Sequence, residues 1–172
     1  DLPSNIHLEF IQNDKTLERM LEEGELDALF ATYLPQTFLN GSPNIIRLFP
    51  NFKEVEKDYY KQTAIFPVMH TIVIREDVLA KHPWVAASLH KGFTQATDLV
   101  IERLYDTDAL ALTLPFLIDH IEETWRTFGS DFWSYDVASN RPALEAVAQY
   151  VVDQGLAPRV VGIDELFPLD KR

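Results

Sequence analysis

The side chains best suited to moving a proton or holding an acid gather around residue 70. His70 stands in the stretch Ile65-Phe66-Pro67-Val68-Met69-His70-Thr71-Ile72-Val73-Ile74-Arg75, where almost every neighbour is apolar. Histidine ordinarily titrates between pH 5 and 8, so an imidazole in such surroundings is a candidate for proton transfer. The competing reading is a core histidine satisfied by a backbone carbonyl. Arg75 is the nearest cation on the stretch and, five residues on, falls on the opposite face of an extended chain. A guanidinium can hold a carboxylate through two parallel hydrogen bonds, although an arginine at a strand end is more often a surface charge. Thr71, beside His70, joins them as a ligand contact. Thr32 and Tyr33, which close an earlier apolar run, offer hydroxyls to a carboxylate or a phenol; loop packing would explain them equally well.

Other residues point less sharply. His120 and Glu123 share a helical face at the spacing of a two-ligand metal site, but no third or fourth ligand is evident, and a solvated helix face accounts for them better. Tyr59 and Tyr60 read as the edge of a core, His82 and His90 as capping or exposed residues, and Trp84, Trp125 and Trp133 as packing anchors. With no cysteine in 172 residues, disulfides, thiolate metal sites and a cysteine nucleophile are excluded. GxGxxG, the phosphate loop, HExxH and GxSxG are all missing, so nucleotide, zinc-peptidase and serine-hydrolase chemistry lack their residues, and no metal or cofactor is expected. A net charge of −12 without a Lys/Arg cluster argues against nucleic acid as a partner. No run approaches the ~20 apolar residues of a membrane span, so membrane insertion is not expected.

The elements that must position these groups follow from periodicity. Residues 7–11 and 25–31 read as strands joined by a helix, with Asp14 as its cap, Leu17, Met20 and Leu21 as its stripe and Gly24 as its stop. Such a βαβ unit places Thr32 and Tyr33 at a strand end, where open α/β sheets bind ligands. Residues 35–44 have loop composition, 45–49 a short strand pattern, and 52–63 an amphipathic helical one. In 65–75, Phe66, Val68, His70, Ile72 and Ile74 share one face and Met69, Thr71, Val73 and Arg75 the other; both are mainly apolar, as in a central strand.

A turn of helix is expected over 76–80. A long helix after Pro83 should follow, with the stripe Val85, Leu89, Phe93, Ala96, Val100 and Leu104 packed on a sheet. Another helix should open at Thr113 or Leu114 and stop at Gly129, and a last one should be capped by Ser139 or Asn140, with Pro142 in its first turn and Gly155 at its end. The fold class is thus α/β with a helix-rich C-terminal half, and the sheet is small for so many helices. An α/β lobe over 1–66 and a crossing strand with helices over 67–172 are the expected divisions. The start at Asp1, followed by the turn-like Pro3-Ser4-Asn5, suggests a fragment or a processed product.

These residues also carry a resemblance. Leu17, Met20, Leu21, Gly24, Glu25, Leu26, Asp27, Ala28 and Leu29 are similar to the helix-to-strand element of type 2 periplasmic-binding-protein folds. Stretch 65–75 is followed by His82-Pro83-Trp84-Val85-Ala86, Ser88-Leu89 and Phe93, and later by Leu114-Pro115, His120, Glu122-Glu123-Thr124, Gly129, Asp131-Phe132-Trp133, Tyr135, Asn140-Arg141, Gln154-Gly155-Leu156 and Glu165-Leu166-Phe167. Together they resemble the C-terminal part of the 4,5-dihydroxyphthalate decarboxylase family over nearly the whole chain.

That resemblance implies a type 2 periplasmic-binding-protein-like fold: two α/β lobes hinged about a ligand cleft, of which this chain is one lobe plus the segment returning to the other. The partner implied is an N-terminal lobe missing from this sequence, and half of the site would lie there. The implied activity is cofactor-free decarboxylation of a dihydroxylated aromatic dicarboxylate, 4,5-dihydroxyphthalate to 3,4-dihydroxybenzoate, in bacterial aromatic catabolism, with His70 transferring the proton and Thr32, Tyr33, Thr71 and Arg75 binding the substrate. The alternative is a non-catalytic solute-binding protein of an ABC-type transporter for a small aromatic or dicarboxylate ligand. A cytoplasmic location goes with the first reading and a periplasmic one, with an export signal upstream, goes with the second; homo-oligomerisation stays open.

Overall fold

A computed structural model describes residues 3, 4 and 6–168. Asn5, and with it the last residue of the expected Pro3-Ser4-Asn5 turn, lies outside the described residues, as does Asp1. The chain divides into a first unit ending at Glu56 and a second beginning at Lys57.

In the first unit, α1 (Leu17–Glu22) starts at Thr16, whose hydroxyl accepts from the Arg19 N–H at 3.2 Å. Asp14 is therefore not the cap. The correction has a simple cause: Thr16 sits directly before the first helical residue, where a hydroxyl reaches the free N–H groups of the first turn. Gly24 follows the helix with φ +78°, a conformation glycine adopts without penalty. A single turn, α2 (Gln36–Leu39), is tied to α1 because Glu18 accepts from the Thr37 N–H at 2.6 Å. Asn44 adds a bond to the Glu22 carbonyl at 3.2 Å, and the Arg47 guanidinium lies over Phe38 and Phe52, 5.2 and 4.9 Å from the ring centroids.

Helix α3 (Phe52–Thr63) has the bounds its periodicity predicts and ends at Ala64, where φ is +55°. In the second unit, α4 (Glu76–Lys81), α5 (Val85–Tyr105), α6 (Leu117–Phe128), α7 (Val137–Asp153) and α8 (Ile163–Leu166) follow. Two starts are displaced from expectation. Helix α6 begins at Leu117, after Phe116 turns the chain with φ +63°, so Thr113 and Leu114 stay outside it. Helix α7 begins one turn early, with Asp136 as its cap and Pro142 inside it rather than in its first turn. Asp136 accepts from the Ser139 N–H at 2.8 Å and the Ser139 hydroxyl at 2.7 Å, while the Asn140 amide donates to the Ser134 and Asp136 carbonyls, both at 2.8 Å. Ser139 and Asn140 thus serve the helix start from within, completing a cap whose principal acceptor is the carboxylate.

The Ser134 hydroxyl and the Ser139 N–H hold the Asp136 carboxyl at about 2, below its ordinary 3.8. A depressed folded-state value means that the cap's contribution is complete above about pH 4 and fades as pH falls towards about 2. Asp136→Ala should cost about 1 kcal/mol at pH 7, solvent screening keeping it from more. Urea denaturation at pH 7 and pH 2 checks this: a difference between variant and parent that did not shrink at pH 2 would remove the carboxylate from the cap.

The α/β expectation is met only in its helix-rich part, since among the described residues no strand forms. Residues 7–11, 25–31, 45–49 and 65–75 are non-helical, but none pairs with another. A strand exists only where a neighbour completes its ladder, and these segments meet none. Their apolar side chains are bare accordingly: Phe10 is 88% exposed, Phe30 101% and Val73 88%. The stripe of α5 finds no sheet either, with Leu89, Phe93 and Val100 all exposed. Among the described residues only Ile45, Ala143 and Ile163 are buried. The total accessible surface is 14051 Å², whereas two separate globules of these masses would expose about 10,000 Å² together. No helix among the described residues is long and apolar enough to cross a membrane.

Candidate functional site

Segment 65–75 is anchored at its start by aromatic packing. The Phe66 ring meets Phe128 edge-on at 5.3 Å, Trp133 at 5.9 Å and Phe132 at 6.3 Å, and Tyr60 packs on Phe128 at 4.7 Å. A half-buried ion pair between Lys57 and Glu123, 15% and 25% exposed, binds α3 to α6 beside this cluster. Phe66, Val68 and Ile74 are half-buried and Pro67, Met69, Thr71, Val73 and Arg75 exposed, but His70 and Ile72, which share the face of Phe66, are exposed as well. The strand pattern is therefore visible in burial only towards the ends of the segment, and among the described residues no ladder forms.

His70 and Thr71 lie at the middle of the segment, both exposed, and no hydrogen bond, ion pair or ring contact among the described residues reaches the imidazole. His70 thus has no carbonyl of these residues as a partner. Arg75 ends the segment as the N-cap residue of α4, and Asp77 occupies two arms of its guanidinium: Nε donates to Oδ1 at 2.8 Å and Nη2 to Oδ2 at 2.5 Å. This fork holds the Asp77 carboxyl below its ordinary range. Asp77 was invisible as an Arg75 partner in the periodicity, but an acid in the first turn of a helix, two residues after an arginine, is the signal that could have found it.

Thr32 and Tyr33 occupy a bend after residues 25–31, exposed, in the first unit. His70, Thr71 and Arg75 belong to the second. Elsewhere, Glu123 is engaged by Lys57, and His120, three residues before it on α6, is exposed. Tyr60 is the core-edge residue its spacing suggests, whereas Tyr59 is exposed beside Tyr150, whose phenol it pushes up through a shared hydrogen bond. Trp125 packs on Tyr105 at 5.1 Å, and its buried Nε1 has no partner among the described residues.

The second unit holds a shallow pocket of about 270 Å³ between α5 and the loop after α6, lined by Thr97, Asp98, Ile101, Glu102, Ser130, Asp131, Phe132 and Trp133. Its three carboxylates give it the wrong sign for an acidic ligand. The chemically suited groups, an imidazole, a threonine hydroxyl and a guanidinium, instead line one bare segment from which these residues do not exclude water. Along an extended chain His70 faces one side of that segment and Thr71 and Arg75 the other.

No family model matches the chain. It is 31% identical, over 166 residues and 96% of its length, to a protein of Comamonas testosteroni named 4,5-dihydroxyphthalate decarboxylase. The chain spans 50% of that relative's length.

Proposed function

We propose that this chain forms part of a decarboxylase of the 4,5-dihydroxyphthalate decarboxylase family and that its substrate is a dihydroxylated aromatic dicarboxylate. The observation that carries the reading is identity of 31% spread over 96% of the chain rather than confined to one motif. In fold terms the proposal is a type 2 periplasmic-binding-protein-like architecture, with residues 1–66 in one α/β lobe and 67–172 supplying a crossing strand and helices. The unpaired segments and bare apolar faces support it, because both call for a complementary surface. The proposed location is cytoplasmic.

The chemistry asks for few groups. In 4,5-dihydroxyphthalate each carboxylate has a hydroxyl para to it. Protonating the ring carbon that bears one carboxylate, while a base takes the para hydroxyl proton, gives a dearomatised dienone. Cleavage of the bond to the carboxylate releases carbon dioxide, and its electron pair restores the ring; the oxygen then regains its proton from the base. One proton is consumed overall and 3,4-dihydroxybenzoate is left. In the proposed site His70 carries the proton, Thr71 bonds a substrate oxygen, and Arg75, reaching round the end of the segment from its opposite face, clamps the carboxylate that stays, through Nη1 or by releasing Asp77. An Arg clamp is a local island of positive charge in a chain at −12.

The test is to incubate the full-length protein carrying this sequence with 4,5-dihydroxyphthalate, with and without a chelator, and to follow 3,4-dihydroxybenzoate by chromatography. Product formation is expected. A substrate that raises the melting temperature but yields no product would make the protein a binder and overturn the decarboxylase reading.

A further inference from the structure

Arg47 lies in the loop between α2 and α3, exposed, with its guanidinium carbon 5.2 Å from the centre of the Phe38 ring and 4.9 Å from that of Phe52. Ile45, one of the buried residues, pins this loop two positions earlier, and Phe38 belongs to the turn that Glu18 ties to α1. The negative faces of the two rings attract the guanidinium and hold it in place, while its N–H groups, which lie in its own plane, stay open to other partners. Among the described residues Arg47 has none. Arg19, Arg75, Arg126, Arg141 and Arg159 each hold a carboxylate, whereas no ion pair or hydrogen bond of these residues reaches Arg47. In a chain with 27 acidic residues against 15 basic ones, Arg47 is thus a cation already positioned by rings and not taken up by an acid of the described residues.

We propose that Arg47 is a ligand-binding residue whose guanidinium takes the carboxylate of a small aromatic acid through two parallel N–H···O bonds. The planar fork matches the two oxygens of a carboxylate, and a side chain already held by Phe38 and Phe52 loses less freedom on binding than one that is loose in water. Phe52, 43% exposed, leaves apolar surface beside the guanidinium for the ring of such an acid. The carboxylate follows from Arg47 itself; the aromatic ring rests on the decarboxylase reading. The site lies within the first unit and does not involve Arg75.

Titration calorimetry of the full-length protein with phthalate tests the proposal. Phthalate has both carboxylates but no hydroxyl, so it cannot follow the dienone route and its binding is read without turnover. Arg47→Ala should weaken phthalate binding about 10- to 100-fold, the worth of a charge-assisted pair, with the melting temperature little changed. Arg47→Lys should recover only a minor part of that loss, because an ammonium keeps the charge but not the fork. Phe52→Leu, which leaves Arg47 and removes one ring, should weaken binding about 2- to 5-fold, and together with Arg47→Lys it carries the test if Arg47→Ala does not fold. Absence of binding by the parent, or unchanged affinity in Arg47→Ala, would overturn the proposal. So would a lower melting temperature with unchanged affinity, the mark of an arginine that only ties Phe38 to Phe52 or pairs with an acid elsewhere in the protein. Full recovery by lysine would overturn the fork. Phthalate bound through Arg47 by a protein that leaves 4,5-dihydroxyphthalate unconverted would keep this site and remove the decarboxylase reading, whereas conversion with phthalate affinity indifferent to Arg47 would do the reverse.

Discussion

His70→Asn in the full-length protein is expected to lower decarboxylation of 4,5-dihydroxyphthalate by about 100- to 10,000-fold, the range that a positioned acid or base contributes. Asparagine keeps roughly the size and hydrogen-bonding capacity of the ring but cannot carry a proton at neutral pH. The loss should therefore fall on kcat, with KM and the substrate-induced rise in melting temperature little changed. The exposure of His70 favours this separation: its ring anchors nothing among the described residues, so replacing it should leave the second unit's packing alone. A structural histidine would behave in the opposite way, losing stability before turnover. Unchanged turnover in a folded variant would take His70 out of the mechanism and leave the proton to a group beyond these residues.

How much of this was legible in the sequence depends on the reach of the forces involved. Helix α3 has the bounds expected from Phe52, Val55, Tyr59 and Tyr60, and α6 stops at Gly129 as expected, because helical hydrogen bonds and glycine stops are set within a few residues. Caps were harder. Thr16 displaced Asp14, and Asp136 displaced Ser139 and Asn140, since several polar residues in a row can each accept from a helix start and geometry chooses among them. The strands were legible only as patterns. Phe66, Val68 and Ile74 keep the inward face by burial, although His70 and Ile72 of that face are exposed, and a ladder is a non-local fact of which the described residues form none. For the candidate site, sequence placed His70, Thr71 and Arg75 on one segment, and the structure adds that Asp77 holds Arg75. Five residues of spacing say which face a side chain takes, not which neighbour already occupies it.

Phe66→Ala is expected to produce the largest loss of stability, about 3 kcal/mol. Phe66 touches three rings, those of Phe128, Phe132 and Trp133, and Phe128 in turn carries Tyr60, so removing it opens a void where α3, α6 and the loop after α6 meet. Phe128 is fixed by the hydrogen bonds of α6, which limits its collapse into the space. Phe66→Leu should recover more than half of the loss, since most of the volume returns without the edge-on ring contacts. Urea denaturation of the full-length protein reads both variants, and a cost below about 0.5 kcal/mol for Phe66→Ala would mean that the ring cluster does not hold the segment. The consequence reaches the proposed chemistry. Phe66 lies four residues before His70 on the same face of an extended chain, so it sets where the imidazole begins its approach to a substrate. Phe66→Ala should therefore lower turnover as well as stability, and Phe66→Leu should restore the two together if one anchor serves both.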